Sequence, residues 1–211
     1  MAHHAVDDGP WIAYQAPSTE RSGDGVWLIH PDGTEAHEIA LGVPGEHLHP
    51  DWSPDGTRLV ITSRESNDTL YELDLETDDA RVLWPCEGSC VGDDEAVWSP
   101  DGSRIAFVRA MQPFVDNVPS CAVMLGNPEN GEVEQLTETR SCAERETFPH
   151  WSHDGTRIAY YRGVYLGETA QSTALYVLDA ASGVETNLTD VALFAGDSDW
   201  SAGDHWILFS T

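Results

Sequence analysis

The sequence predicts an all-β chain folded as a β-propeller of four-stranded antiparallel blades, and three observations predict it. The string Trp-Ser-Pro-Asp-Gly occurs at Trp52–Gly56 and Trp98–Gly102, a near copy at Trp151–Gly155, and a degenerate copy begins at Trp200. The four tryptophans are 46, 53 and 49 residues apart. The short apolar segments that follow each copy lack a helical period. Four short strands repeated about every 40 to 50 residues are typical of a propeller blade.

The repeated motif also argues against the other all-β architectures. A β-sandwich would not repeat one motif four times along the chain. A parallel β-helix repeats with a much shorter period than the spacing of these tryptophans. The propeller is therefore the predicted fold.

Each unit begins with a strand that ends at the repeated tryptophan. These first strands are predicted at Leu48–Trp52, Glu95–Trp98, Phe148–Trp151 and Ser198–Trp200. In the turn that follows, Pro54 presets φ, Asp55 suits the third position, and Gly56 takes the positive φ that closes a bulged hairpin. We therefore expect Asp55, Asp101 and Asp154 to be structural.

Three further strands complete the unit. The second strand is apolar on both faces, which places it inside a stack covered on both sides. Second strands are predicted at Leu59–Thr62, Ile105–Val108, Ile158–Tyr161 and Ile207–Ser210. Third strands are predicted at Val26–Ile29, Leu70–Asp74, Ala122–Leu125 and Leu175–Leu178. Weaker outer strands are predicted at His37–Leu41, Arg81–Leu83, Val133–Leu136 and Glu185–Leu188.

The domain organisation follows from the repeats. A disordered remnant at 1–10 precedes a single propeller domain at 11–211, which divides into units at 11–47, 48–94, 95–146, 147–196 and 197–211. The first unit starts at its second strand, and the last unit ends after its second strand. We expect about five blade-equivalents in a closed or nearly closed ring, with N- and C-terminal strands sharing one blade. The alternative is a fragment of a six-bladed propeller.

The chain is strongly acidic, with 37 Asp and Glu residues against 10 basic residues and a formal net charge of −27 at pH 7. Such a surface repels nucleic acid and anionic membranes, so neither is an expected partner. No apolar stretch reaches the length of a membrane span, so no membrane insertion is expected. The acidity fits solubility, life in salt or attraction of cations and basic partners, and the sequence leaves these open.

The four cysteines predict two disulfides, Cys86–Cys90 and Cys121–Cys142, in an oxidising compartment. Cys86 and Cys90 form a C-x₃-C that lacks the second ligand pair of a zinc site. The alternative is four free, half-buried thiols. Between the second and third strands of the third unit, Met111–Ser120 is predicted to be an inserted loop. It is either a rim element for a partner or a surface excursion held by the second disulfide.

Polar and mostly acidic residues stand where each predicted first strand begins. The first strands of a propeller line its channel, so these residues are expected to converge on one channel mouth. The candidate site residues are His47, His49, Asp51, Asp93, Asp94, Glu95, Glu146, His150, Asp197 and Asp199. Carboxylates and imidazoles suit a divalent cation such as Ca²⁺ or Mn²⁺. Candidate metal ligands are His47, His49, Glu95 and Asp197.

The same residues also suit roles that need no metal. A basic peptide or a small polar ligand would fit an acidic channel mouth. Alternatively, the polar groups bond from blade to blade or face water in the channel. No catalytic residue is assigned, because the chain has no G-x-S-x-G elbow, no H-E-x-x-H and no phosphate-binding glycine motif.

The repeated unit resembles the WD-like repeat of TolB-type propellers over residues 11 to 211. The resemblance lies in Trp-Ser-Pro-Asp-Gly-x-x-Ile-Ala-Phe, in the strand Leu175–Asp179, and in the Leu-Thr endings at Thr137 and Thr189. It implies an exported scaffold, periplasmic or extracellular, whose leader is absent from this sequence. The family usually closes six blades and often carries an N-terminal domain, neither of which this chain shows.

A non-enzymatic binding or scaffold propeller is the predicted function. The protein would present its acidic channel mouth or rim to a protein or a small polar ligand. Two enzymatic alternatives remain. One is a metal-dependent propeller lyase or hydrolase that uses His47, His49 and the facing carboxylates. The other is the propeller portion of a prolyl oligopeptidase-like enzyme.

Overall fold

The computed structural model describes residues 10–20, 22–40, 42–115, 117–166, 169–190 and 196–210. The predicted remnant at 1–10 lies outside these ranges except for residue 10. The first sheet, here called blade 1, consists of β1 (Ile12–Pro17), β2 (Asp24–Ile29) and β3 (His37–Glu38). Blade 2 consists of β4 (Glu46–Trp52), β5 (Arg58–Arg64), β6 (Asp68–Asp74) and β7 (Asp79–Val82).

Two larger blades and a hairpin follow. Blade 3 consists of β8 (Cys90–Trp98), β9 (Ile105–Val115), β10 (Val118–Gly126) and β11 (Val133–Gln135), with β12 (Arg140–Ser141) also paired to β10. After a 3₁₀ turn at Cys142–Glu144, blade 4 consists of β13 (Glu146–Trp151), β14 (Arg157–Leu166), β15 (Thr169–Asp179) and β16 (Glu185–Asn187). The terminal hairpin consists of β17 (Gly196–Trp200) and β18 (Ile207–Ser210).

The sheets are antiparallel and arranged as propeller blades, which confirms the predicted fold class. In blades 2 and 4 the strand order in space is the order along the chain. The strands β4, β8, β13 and β17, here called the inner strands, contact one another in succession. Within the described residues, no helix has the length and apolar character needed to cross a membrane.

The second strands of blades 2, 3 and 4 are buried on both faces, as predicted, whereas Leu208 in β18 of the terminal hairpin is 79% exposed, which corrects the prediction for that strand. Leu59 and Ile61 pack back against Val26 and Leu28 of blade 1. Val60, between them, packs forward into a cluster with Trp98 and residues of blade 3. These three side chains of β5 are each 0% exposed. Burial of a Leu, Ile or Val side chain stabilises a fold by about 1.5 to 3 kcal/mol, so these junctions hold the blades together.

An arginine clamp repeats between blades. The guanidinium carbon of Arg58 lies 4.8 Å from the ring centroid of Trp98, the inner-strand tryptophan of the next blade. Arg157 of blade 4 lies 4.7 Å from the ring centroid of Trp200 in the same way. Each arginine stands two residues after the glycine of its turn. Trp98 and Trp200 therefore serve interblade packing through cation–π contact.

The N- and C-terminal strands do not share a blade in the described part of the chain, which corrects the expected closure. Blade 1 and the terminal hairpin form separate sheets. The reason is that β1 and β18 are both second strands, and one blade has a single second-strand position. β1 is paired to β2, and β18 is paired to β17. The described chain thus has four blades and a hairpin.

Several strands are longer than predicted. The inner strands begin earlier, at Glu46, Cys90, Glu146 and Gly196, because polar residues that disfavour strands in isolation are paired there across the sheet. The predicted inserted loop at Met111–Ser120 is instead an extension of the β9–β10 hairpin, in which Met111 pairs with Ser120. A register shift beside Ser120 accommodates Pro119, which has no N–H to donate.

Both predicted disulfides are present. Cys86–Cys90 closes the connection between blades 2 and 3, with a Cα–Cα distance of 5.2 Å. Cys121–Cys142 joins β10 to the 3₁₀ turn that leads into blade 4, with a Cα–Cα distance of 4.9 Å. Cys121 and Cys142 pack with Val108 in a small apolar cluster. The four cysteines are therefore disulfide-bonded and are not free thiols.

Candidate functional site

Every inner strand carries a β-bulge between its first residue and its repeated tryptophan. The pairing register shifts between Leu48 and Asp51 in β4 and between Asp94 and Val97 in β8. It shifts again between Thr147 and His150 in β13 and between Gly196 and Ser198 in β17. A bulge bends the strand and redirects a side chain. We call this end of the inner strands the bulged end, and the end with the Ser-x-Asp-Gly turns the turn end.

Non-glycine residues with positive φ mark the bulges. His49, Glu95 and Phe148 have φ values of 51°, 55° and 52°, and each stands three residues before the repeated tryptophan. An L-residue in this region costs about 1 to 2 kcal/mol, and such strain clusters at functional sites. The backbone geometry is therefore the same in the three blades, while the side chain at that position differs.

His49 and Asp94 form a pair across blades 2 and 3. His49 Nδ1 lies 2.8 Å from Asp94 Oδ1, and Arg64 Nη2 donates to Asp94 Oδ2 at 3.2 Å. Burial is the largest single influence on His49 and opposes its protonation, but the hydrogen bond to Asp94 and the charges of Asp94 and Glu95 together outweigh burial and raise the pKa of His49. Burial acts to raise the pKa of Asp94, yet the His49 bond and charge lower it. The pair therefore favours the ion-pair form.

Glu95 links blade 3 to blade 4 at the same end. The backbone N–H of Phe148 donates to Glu95 Oε2 at 2.6 Å. Burial, followed by the charge of Asp94, raises the pKa of Glu95 to about 7. The Phe148 ring lies edge-on to His49 with ring centroids 6.1 Å apart. The three bulge side chains therefore meet, although they come from three different blades.

Three predicted site residues serve the scaffold instead. Asp51 accepts the backbone N–H of Trp98 at 2.7 Å, and burial raises its pKa to about 6. Asp93 accepts two bonds from Arg109, at 2.7 and 2.8 Å, and burial raises its pKa despite that partner. Glu146 is held by Arg162 Nη2 at 3.0 Å, and burial likewise raises its pKa. These groups bond between neighbouring strands and blades.

The remaining predicted residues are dispersed. His47 is 0% exposed, and its Nε2 lies 3.0 Å from the carbonyl oxygen of Val43. The carbonyl oxygen of His150 accepts the indole N–H of Trp200 at 3.2 Å. Asp199 is exposed at the terminal hairpin. The side chain of Asp197 lies outside the described residues. The structure thus brings His49, Asp94 and Glu95 together, places Glu146 on the wall of one cleft with Asp94 and Glu95, and leaves the others apart.

A cleft of about 430 Å³ opens at the bulged end, between blades 2, 3 and 4. Asp94 and Glu95 line it, and Val108 with the Cys121–Cys142 disulfide supplies an apolar wall. Arg64, Asp68 and Arg145 add charged groups, and Arg64 Nε donates to Asp68 at 3.0 Å. The volume is within the range of small-molecule sites, and mixed apolar and charged walls suit a polar ligand.

Arg64, Arg145 and Phe148 are site residues that the sequence alone does not single out. Phe148 is predicted only as the first residue of a strand, although aligning the units on tryptophan places it level with His49 and Glu95. This shared repeat position is the signal in the sequence that could have identified Phe148. A search for polar residues does not find it, because phenylalanine is apolar. The two arginines stand outside the inner strands, and their approach to the cleft depends on the lengths of the hairpin and the connection that carry them.

The predicted divalent-cation site does not assemble in the described part of the chain. No group of three or more His, Cys, Asp or Glu side chains is placed there to hold a metal ion. Of the candidate ligands, His47 is turned to a backbone carbonyl and Glu95 accepts a backbone N–H. His49 and Glu95 are the candidates that remain near the cleft.

Comparison with known proteins gives the fold a context. No protein-family model matches the chain. The chain is 29% identical over 163 residues to the uncharacterized protein Atu1656 of Agrobacterium fabrum, covering 77% of this chain and 50% of that protein. It matches the crystal structure of TolB from Acinetobacter baumannii with a TM-score of 0.71 and 20% identity, over 94% of this chain and 46% of that chain.

Other solved propellers share the fold at low sequence identity. A candidate TolB from Agrobacterium tumefaciens matches with a TM-score of 0.68 and 20% identity, over 85% of this chain and 61% of that chain. An oligogalacturonate lyase in complex with manganese matches with a TM-score of 0.50 and 15% identity, over 93% of this chain and 70% of that chain. The chain thus has a TolB-like propeller fold. It spans about half the length of Atu1656 and of the TolB from Acinetobacter baumannii.

Proposed function

We propose that this TolB-like propeller is a non-enzymatic binding protein whose cleft at the bulged end takes a ligand carrying a cationic group. The ligand is a small polar molecule or a segment of a partner protein. One observation carries the proposal. Strained bulges in three blades bring the His49 and Phe148 rings within 6.1 Å and the Glu95 carboxylate onto the Phe148 backbone N–H, and Glu95 lines a cleft of about 430 Å³ beside them.

The charges of the cleft favour a cation. Asp94 and Glu95 supply carboxylate oxygens there, and the whole chain has a net charge of −27 that raises the local concentration of cations. An ammonium or guanidinium group has N–H donors and no hydrogen-bond acceptor, so it could donate a hydrogen bond to either carboxylate. Phe148, which is 44% exposed, offers an apolar surface next to those carboxylates. A ligand that carries a cationic group beside an apolar group would therefore complement this cleft.

A lyase or hydrolase that uses both histidines fits the arrangement less well. His47 is fully buried and bonded toward the Val43 carbonyl, which leaves His49 alone at the cleft. The two cysteines of the cleft wall are joined in a disulfide and cannot act as nucleophiles. Binding is therefore the better-supported activity.

The disulfides support an oxidising location. Two disulfides among four cysteines are typical of exported proteins, because cytosolic reductants keep thiols reduced. We place the protein in the periplasm or outside the cell, where a ligand or partner would meet the cleft. Expression in a reducing and an oxidising compartment, followed by thiol titration, tests this location.

Calorimetric titration with acetyl-Lys-Phe-Lys-amide tests the binding proposal. We expect saturable binding that weakens at least about tenfold in Glu95→Gln, since a charged hydrogen bond contributes about 1.5 to 3 kcal/mol. Glu132→Gln is the matched control above about pH 8, where Glu95 is ionised, because Glu132 is exposed on the β10–β11 turn and its loss then changes the net charge equally. Acetyl-Glu-Phe-Glu-amide should give no heat. Equal weakening in both variants would show a general charge effect and overturn the proposal.

A further inference from the structure

The arginine clamp is closed at two junctions of the propeller. The guanidinium of Arg58 covers Trp98, and the guanidinium of Arg157 covers Trp200. Arg157 Nη2 also donates to the carbonyl oxygen of Asp204 at 3.0 Å. The two covered tryptophans are only 5% and 6% exposed. At both junctions, a guanidinium on the indole therefore shields the inner-strand tryptophan from solvent.

The junction between blades 3 and 4 lacks this clamp. Arg104 stands at the repeat position of Arg58 and Arg157, two residues after the glycine of its turn. Its Nη1 instead donates to Glu134 Oε1 on β11 at 3.2 Å. Among the residues that the structure describes, no guanidinium lies over Trp151, the tryptophan that Arg104 would cover. Trp151 is accordingly more exposed than its two covered counterparts.

One difference between blades 2 and 3 accounts for the position of Arg104. In blade 2, Arg58 Nη1 donates to Glu72 Oε2 at 3.3 Å, and Glu72 is 6% exposed. Leu125 occupies the register position of Glu72 in blade 3. Because a leucine side chain has no hydrogen-bond acceptor, Arg104 is not held over the tryptophan and pairs with Glu134 on the outer strand.

A groove of about 720 Å³ lies at the junction without the clamp. Its lining combines apolar and charged residues, which include Leu125, Leu136, Trp151, Arg104, Glu134 and Asp179. Gly155 also lines it, which places the groove at the turn end and away from the cleft at the bulged end. The volume is within the range of ligand sites in proteins.

The outer turns explain why this junction has space. The β10–β11 turn of blade 3 reaches back to blade 2, where Glu129 Oε1 accepts from Arg58 Nη1 at 3.4 Å and the Pro128 carbonyl oxygen accepts from Arg81 at 3.1 Å. The corresponding β15–β16 turn of blade 4 contains only alanine, serine and glycine at 180–183. These side chains are too short to fill the groove.

We propose that this groove binds an arginine side chain of a partner polypeptide, with the guanidinium over Trp151 as that of Arg58 lies over Trp98. The partner would supply the cation–π contact that the chain itself makes at the other junctions. Glu134 and Asp179 line the groove, and their carboxylates suit the N–H donors of a guanidinium. Free arginine fits less well, because its own carboxylate would lie close to these two. The proposal is independent of ligand binding at the cleft.

Nuclear magnetic resonance titration with N-acetyl-L-arginine amide tests the site. We expect a saturable shift of the Trp151 indole N–H resonance, which is identified by its absence from Trp151→Phe. Absence of that shift would overturn the proposal. The affinity measured at Trp151 should be the same in Glu95→Gln, since Glu95 lines the separate cleft. Tighter binding of free L-arginine than of the capped form would assign the groove to the amino acid and overturn the assignment to a partner.

Two variants test the missing clamp itself. Leu125→Glu adds a negative charge, yet it should weaken binding at least about fivefold, because the new carboxylate would hold Arg104 over Trp151 and close the groove. Glu134→Gln should also weaken binding, because it removes a carboxylate from the groove. Glu76→Gln is the control of equal charge, since Glu76 is exposed on the β6–β7 turn of blade 2.

The two variants give opposite answers to a general charge effect. Stronger binding in a folded Leu125→Glu, or equal affinities in Glu134→Gln and Glu76→Gln, would overturn the proposal. Far-UV circular dichroism shows whether Leu125→Glu folds. If it does not, the comparison of Glu134→Gln with Glu76→Gln decides.

Discussion

Both ends of the inner strands contain residues with positive φ, but different types of residue adopt this conformation at each end. At the turn end of blades 2, 3 and 4, positive φ is taken by glycine, with values of 73°, 70° and 70° at Gly56, Gly102 and Gly155, whereas Asp204 takes it in the terminal hairpin. At the bulged end, it is taken by His49, Glu95 and Phe148. Glycine adopts this conformation without steric cost, whereas the other residues do not. Strain is therefore concentrated at the end that contains the cleft.

The carboxylates at the two ends also differ, because the pKa of Asp154 is lowered and that of Glu95 is raised. At the turn end, Asp154 accepts the Ser152 hydroxyl at 2.7 Å and the Thr156 N–H at 3.0 Å, and these bonds lower its pKa to about 2. At the bulged end, burial raises the pKa of Glu95 to about 7. Satisfied carboxylates therefore repeat at the turn end, whereas the bulged end contains in Glu95 a carboxylate whose ionised form burial disfavours.

The largest expected contrast between the ends concerns ion pairs. Arg109→Met leaves Asp93, whose side chain is 1% exposed, without its bidentate partner near the bulged end. Breaking a buried pair costs about 3 to 5 kcal/mol of unfolding free energy. Arg104→Met removes an ion pair to the exposed Glu134 near the turn end, where such pairs contribute about 0 to 1 kcal/mol. Urea unfolding measures both, and equal losses would contradict the contrast.

Backbone substitutions should change stability in opposite directions at the two ends. Phe148→Gly relieves left-handed strain at a half-exposed side chain and is expected to stabilise the protein by up to about 1 kcal/mol. Gly102→Ala is expected to destabilise it by about 1 kcal/mol, since an added Cβ meets only Pro54 at 3.7 Å and the cost arises from φ. Thermal unfolding compares them. A destabilised Phe148→Gly would show that the His49 contact outweighs the strain.

The pH dependence of stability separates the ends with a smaller effect. A carboxyl with a raised folded pKa binds its proton more tightly in the native state, so Glu95 makes stability fall as pH rises from about 4 through about 7. Asp101, whose pKa is lowered by Ser99 and Ser103, contributes stability that is lost as pH falls below its usual value of 3.8.

Two variants assign these slopes in urea unfolding across pH. Glu95→Gln should flatten the decline between about pH 4 and pH 7, because the titrating group is gone. Asp101→Asn should flatten only the acid limb. An unchanged decline in Glu95→Gln would mean that general charge repulsion, rather than this buried carboxyl, determines the slope.

The fold was readable from the sequence because its determinants are local and repeated. The turn residues, the apolar second strands and the repeated tryptophans each impose one geometry at a regular spacing. The early starts of the inner strands were missed because acidic residues have low intrinsic strand propensity. The β9–β10 extension was missed because Pro113 and Pro119 argue against a strand unless a register shift accommodates them.

The candidate site can be predicted only in part from the sequence. His47 and His49 are two residues apart and would share a face in a regular strand, but the bulge lies beside His49 and separates their environments. Sequence spacing does not encode a bulge directly. The approach of Arg64 and Arg145 depends on segments from different blades, so no local pattern predicts it.

A crystal structure of the protein soaked with acetyl-Lys-Phe-Lys-amide would test most directly whether the strained ends of the inner strands hold the ligand. We expect a lysine ammonium within hydrogen-bond distance of Asp94 or Glu95, with the peptide ring against Phe148. A peptide bound at the Ser-x-Asp-Gly turns, or elsewhere on the surface, would contradict it.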